Sequence, residues 1–126
     1  MPKILYTSFD TVPAPKGASV HISHFTKALT EHGYNVTLFV PAGKGQKEKD
    51  IYMGAEIKRV IIEEDNFLKK TLVFSRAVEK ELNMDYNLVH FRSVWDGISI
   101  VSKKNKSYKT LYEANGFPSI ELPYHY

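Results

Sequence analysis

The sequence predicts an α/β domain built on a doubly wound, mostly parallel sheet with helices on both faces. Short apolar runs alternate along the chain with segments of helical periodicity, the order that generates parallel strands joined by crossover helices. The first apolar run leads through a loop holding Gly17 directly into an amphipathic segment and a second apolar run. A β-loop-α-β unit of this kind makes a parallel pair with a right-handed crossover. The first run is also apolar on both faces, as a strand in the interior of a sheet must be.

Each element has its own reason. Lys3-Ile-Leu-Tyr-Thr-Ser8 reads as the first strand, and the two prolines before Gly17 break any periodicity beyond it. From Ala18 the positions Ala18, Ile22, Phe25, Ala28, Leu29 and His32 fall within about 120° on a helical wheel, one core-facing stripe. Gly33 supplies the left-handed residue that stops this helix, and Asn35 to Val40 makes the second strand. The stretch from Ala42 to Asp50 is polar and reads as a loop, with Ile57 to Ile62 as the third strand. Phe67, Thr71, Phe74, Val78 and Leu82 recur at helical spacing, with Lys69, Lys70, Arg76, Glu79 and Lys80 opposite them, which predicts a second amphipathic helix. Asn87 to Phe91 makes the fourth strand, Ser93-x-x-Asp96 is a capping box opening a third helix through Val101, and Lys109 to Glu113 makes the fifth strand. Neither a repeat nor a low-complexity segment interrupts the series, so residues 1–126 read as a single domain. The last residues, Ala114 to Tyr126, carry two prolines and no ending signal. The expectation is a domain that continues past them, with this segment disordered or packed on a second copy, and hence self-association.

Composition narrows the chemistry. The absence of cysteine excludes disulfides, thiol nucleophiles and thiolate metal sites. A net charge of +3 leans toward acidic partners such as phosphates or anionic lipid, below the density of a nucleic-acid binder. No apolar run approaches the roughly 20 residues that span a bilayer, and the N-terminus lacks the pattern of a signal peptide. The expected setting is cytoplasmic, with peripheral contact to the inner face of an anionic membrane as an option.

In an open α/β sheet the ligand site lies outside the carboxyl ends of the strands. Three loops there carry reactive residue types: Lys16-Gly17-Ala18-Ser19 with His21 behind it, His90-Phe91-Arg92-Ser93, and Glu113-Ala114-Asn115-Gly116. Gly17 serves either close helix–strand packing or ligand approach to its backbone, where the N–H groups of a helix N-terminus favour an anion. His21 reads either as a half-buried, satisfied side chain or as a lining residue, His24 as a surface residue and His90 as a hydrogen-bonded core residue. Arg92 either pairs with Glu113 or faces a ligand. The five histidines lack metal-ligand spacing, there is no Ser-His-Asp order or nucleophile elbow, and the single loop glycine fails both the dinucleotide fingerprint and the P-loop.

The pieces Pro15 to His21, Leu29 to Val36, Val89 to Ser93 and Leu111 to Gly116 together resemble the N-terminal half of group 1 glycosyltransferases, the retaining family 4 enzymes of GT-B fold. The resemblance extends over nearly the whole chain. It implies a Rossmann-like domain that holds the acceptor, a sugar or a lipid-linked acceptor. The nucleoside diphosphate sugar donor is held mostly by a second domain bearing an E-x7-E motif, and these residues do not supply one. No cofactor, metal or nucleic acid is implied. Carried onto this sequence, Gly17, Ala18 and Ser19 become the loop whose backbone approaches donor phosphate or acceptor, with Ala18 where a second glycine is common. His21, Arg92 and Glu113 become acceptor-side residues, and Asn115 stands at a catalytic position where many relatives have histidine. The resulting expectation is the acceptor-binding part of a retaining glycosyltransferase, inactive by itself. The alternatives are a stand-alone flavodoxin-like anion-binding or interaction module, and the cofactor half of another Rossmann-type enzyme.

Overall fold

The computed structural model describes residues 2–12, 17–63, 65–92, 94–102 and 108–112. The elements are β1 (Lys3–Thr7), α1 (Gly17–Glu31), β2 (Asn35–Pro41), β3 (Lys49–Tyr52), β4 (Ala55–Val60), α2 (Phe67–Glu81), β5 (Leu88–Phe91), α3 (Val94–Ser102) and β6 (Lys109–Tyr112). They form one sheet in the order β3-β4-β2-β1-β5-β6. All neighbouring pairs are parallel except β3 with β4.

β1 is interior, between β2 and β5, as its two-sided apolar pattern requires. Alternate residues of the strands feed two cores. Leu5, Phe39 and Val89 pack with Phe74 and Val78 of α2 and Ile100 of α3. Ile4, Tyr6, Val36, Leu38, Val40 and Ile57 pack with Ile22 of α1. The period-2 alternation of a strand thus puts a hydrophobic layer on each face, one covered by α2 and α3 and the other by α1.

Two expectations are corrected. The polar stretch ending at Asp50 runs into a sixth strand, β3, antiparallel to β4 and exposed along most of its length. A tight turn makes it: Met53 and Gly54 both have positive φ, at 51° and 81°. The Thr30 hydroxyl of α1 donates to the Met53 carbonyl oxygen at 2.8 Å and fixes the turn against the helix. Four residues with one buried-facing side chain carry no readable period, so tertiary contact and not pattern creates this strand.

The buried face of α1 is also rotated from the expected stripe. Ile22 is buried and Phe25 and Leu29 half-buried, but Ala28 and His32 are exposed, while Ser19, Ser23 and Thr26 are buried instead. Ser23 bonds the Ser19 carbonyl oxygen at 2.8 Å and the Tyr52 hydroxyl at 2.7 Å, so a hydroxyl here is satisfied within the helix and by β3. His32 returns its ring nitrogen Nδ1 to the Ala28 carbonyl at 2.7 Å, at the end that Gly33 closes with φ of 87°. The second helix matches its expected register, with Thr71, Phe74 and Val78 buried and Asn66 accepting from the Lys69 N–H as N-cap. Phe67, expected on that stripe, stands partly exposed at its first turn. Ser93 and the segment from Glu113 to Tyr126 lie outside the described residues, and with them the capping box and the expected behaviour of the tail.

Candidate functional site

The parallel strands end at one rim, and strand order reverses at β1, whose neighbours β2 and β5 are reached by crossovers on opposite faces. The crevice between the loops after β1 and β5 is therefore the topological switch point, where open sheets take ligands. α1 starts on one side of it with Gly17, whose hypothetical Cβ would meet no atom within 4 Å. Close packing against the described residues therefore does not demand glycine here. Behind it Ser19 is buried, and Val20 and His21 are exposed. His21 is not half-buried; its ring lies over Phe25 at 6.2 Å between centroids. Ala18 falls in the first turn of α1.

Across the crevice, Arg92 follows directly on β5. It is 9% exposed, and its Nη1 lies 3.5 Å from Oδ2 of Asp10, whose side chain is 40% exposed. The Ser8 hydroxyl donates to the same oxygen. The carboxylate that meets Arg92 among the described residues is thus Asp10, in the loop after β1, whereas Glu113 lies outside them, as does Asn115. Asp10 is the site residue the sequence reading missed. Ser8-x-Asp10 at the carboxyl end of the central strand is the signal that marks it, passed over because the search of that loop began at Lys16. His90 is a core residue, buried and stacked on Tyr6 at 4.6 Å with Phe25 edge-on at 5.1 Å. His24 is exposed.

The loops on the β2 and β4 side are laced together. Arg59 of β4, 5% exposed, donates from Nε and Nη2 to the Val12 carbonyl oxygen at 3.2 and 3.0 Å, and from Nη1 to that of Lys47 at 3.0 Å. The Ala42 N–H donates to Val60 O, and Gly43 N to the Gln46 side chain while its Cβ position faces Thr11 at 3.5 Å. This floor holds a pocket of about 250 Å³ between Phe9, Pro41, Ala42, Ile62, Phe67 and Lys70, with Thr11 beside Phe9 on its wall. A larger groove of about 490 Å³ lies against the C-terminal half of α2. Its Lys58 and Glu81 are paired at 2.9 Å, and Glu81 also accepts from Tyr86. Burial, with the Glu81 hydrogen bond second, pushes the Tyr86 phenol well above its ordinary range. Among the described residues no group of three His, Asp or Glu side chains is placed to hold a metal.

The doubly wound, mostly parallel sheet matches the Rossmann-like half of a GT-B fold. The solved structure of sucrose-phosphate synthase from Thermosynechococcus elongatus superposes with a TM-score of 0.72 over 98% of this chain at 13% sequence identity. The chain covers 35% of the length of that structure. No curated protein matches the sequence. The model of Glycosyltransferase Family 4 matches residues 15–114, and the chain belongs to that family. No helix of the described residues is long and apolar enough to cross a membrane.

Proposed function

We propose that this chain is the acceptor-binding part of a retaining glycosyltransferase, which moves a sugar from a nucleoside diphosphate sugar to a hydroxyl acceptor in the cytoplasm. The observation that carries this reading is the Ser8–Asp10–Arg92 group at the switch point. Asp10 keeps part of its carboxylate open to solvent while Arg92 and Ser8 hold it in place. A fixed, part-exposed carboxylate beside an arginine is suited to receiving hydrogen bonds from sugar hydroxyls. Gly17 leaves its backbone open across the same crevice, and the N–H groups at the start of α1 face that point. His21, exposed in the second turn, lines the acceptor side. The proposal carries Glu113 and Asn115 to the same rim by family resemblance, as an orienting carboxylate and as the residue at the catalytic position. Donor binding falls to a second domain, as the family resemblance implies. Closing two domains over the reactants is what would exclude water and bring them into line.

A product assay by mass spectrometry tests this, run on the chain alone and on the chain joined to a donor-binding domain of its family. Transfer from UDP- or GDP-sugars is expected only in the joined form. Transfer by the chain alone, or a joined form that binds both substrates without transfer, contradicts the proposal.

A further inference from the structure

We infer that the groove between β4 and the C-terminal half of α2 binds a small phosphate monoester, with Lys49 and Lys80 as counter-ions of the phosphate and the carbon body over Val60 and Ala77. The site shares no residue with the Ser8–Asp10–Arg92 group and is independent of the acceptor reading above. It starts from an unfavourable pairing. Lys49 of the edge strand β3 stands directly opposite Lys58 of β4, so two like charges leave the same face of the sheet side by side. Lys80 of α2 lines the same groove from its other wall. Three ammonium groups therefore border one cleft.

The carboxylates nearby do not cancel this charge. Oε2 of Glu81 already accepts from Lys58 Nζ at 2.9 Å and from the Tyr86 hydroxyl, which leaves Lys58 paired and fixed. Glu48 meets β4 through its carbonyl oxygen, which accepts from the Arg59 N–H, and strand alternation turns its side chain to the face opposite Lys49. Glu56, two residues before Lys58, lies outside the lining of the groove. Neither Lys49 nor Lys80 is paired with a carboxylate among the described residues. Two unpaired ammonium groups match the charge of roughly −1.5 to −2 that a phosphate monoester carries at pH 7, and exceed what a carboxylate or a sulfate ester would neutralise. Lysine binds such a group as a point charge, without the planar fork that arginine needs. Between the lysines the floor is apolar: Phe39 is buried, Val60 and Ala77 are half-buried, and all three pack on the core under α2. A volume of about 490 Å³ falls within the roughly 300 to 1,000 Å³ of small-molecule sites. Bare phosphate would leave that floor wet, whereas an ester carrying a ring covers it and gains from the burial.

The test titrates the purified chain with phenyl phosphate, phenyl sulfate, inorganic phosphate and an oligoglutamate peptide, following the backbone amide resonances. Phenyl phosphate is expected to bind with a Kd near or below about 1 mM, with shifts at Lys49, Lys58, Val60, Ala77 and Lys80. Binding should be at least fivefold weaker for phenyl sulfate, a monoanion of similar shape, and for inorganic phosphate, which lacks the ring. Lys49→Gln and Lys80→Gln, both at exposed positions, are each expected to weaken phenyl phosphate binding at least fivefold, and Lys27→Gln, on the outer face of α1, to leave it unchanged. An equal loss in Lys27→Gln reduces the effect to net charge and overturns the inference, as do shifts confined to residues outside the groove or equal affinity for phenyl phosphate and phenyl sulfate. An oligoglutamate peptide that moves the same resonances at lower concentration than phenyl phosphate assigns the groove to an acidic polypeptide and overturns the small-ligand inference as well.

Discussion

Two buried arginines stand at the same rim and do different things. Arg59 is 5% exposed and spends its guanidinium on the carbonyl oxygens of Val12 and Lys47, joining two loops to β4 in one floor. Arg92 is 9% exposed and faces Asp10, a carboxylate that is itself 40% exposed and shared with Ser8. The first arrangement is closed to a ligand because its acceptors are main-chain groups locked in the fold. The second presents a charged acceptor to solvent at the switch point. The partner of a buried cation, more than its depth, decides whether it is scaffold or site.

Breaking the floor should have the largest effect on stability. Arg59→Met leaves the Val12 and Lys47 carbonyl oxygens without donors, and the expected loss is about 3 kcal/mol in the urea unfolding free energy. A loss under about 1 kcal/mol would remove the distinction between the two arginines. Arg92→Met should cost about 1 kcal/mol, since its Asp10 partner is half open to water, yet it should weaken acceptor binding at least tenfold by releasing Asp10. Calorimetric titration beside the same unfolding curve separates the two effects.

The opposite rim supplies a control in which the acceptor is not involved. Tyr86 precedes β5 there, and burial together with Glu81 raises its phenol above the ordinary value of 10.0. The folded state therefore favours the neutral phenol. The resulting stability is fully present below pH 10 and is lost as the pH rises through the higher folded value. Urea midpoints measured from pH 8 to 11 should fall more steeply for the native chain than for Tyr86→Phe, with acceptor binding unchanged in both at neutral pH. Parallel slopes would show that the phenol is not held neutral by the fold. The smallest stability effect is expected for Gly17→Ala, within about 0.5 kcal/mol, because the added methyl meets no neighbour and alanine suits a helix start. A clear loss of ligand affinity in that variant, without a shift in Tm, would place Gly17 on the side of Arg92 in the comparison.

The same contrast explains what the sequence made legible. β1, β2, β5 and the α2 face follow from alternation and helical spacing, because each buries a complete apolar side against a neighbour. Gly33 was readable for a local reason, the positive φ that ends α1. β3 was not readable, because its exposed residues are ordered by the Met53–Gly54 turn and by Thr30 from a distant helix. Nor were the buried hydroxyls of α1, since Ser23 is satisfied by Tyr52, 29 residues on. The positions of Gly17 at the start of α1 and of Arg92 directly after β5 were legible from their place after strands. Asp10 and Arg59 were not, because their roles depend on which loops meet: Asp10 on Arg92 across the crevice, and Arg59 on a carbonyl 47 residues earlier.

Steady-state kinetics with Asp10→Ala, in the chain joined to a donor-binding domain of its family, most directly tests whether this rim serves the acceptor. The account predicts an acceptor KM raised at least tenfold with the nucleotide-sugar KM within about twofold of the native value, about 1.4 kcal/mol of binding lost on one substrate alone. A rise in the nucleotide-sugar KM with the acceptor KM unchanged would assign the Ser8–Asp10–Arg92 group to the donor and contradict the account.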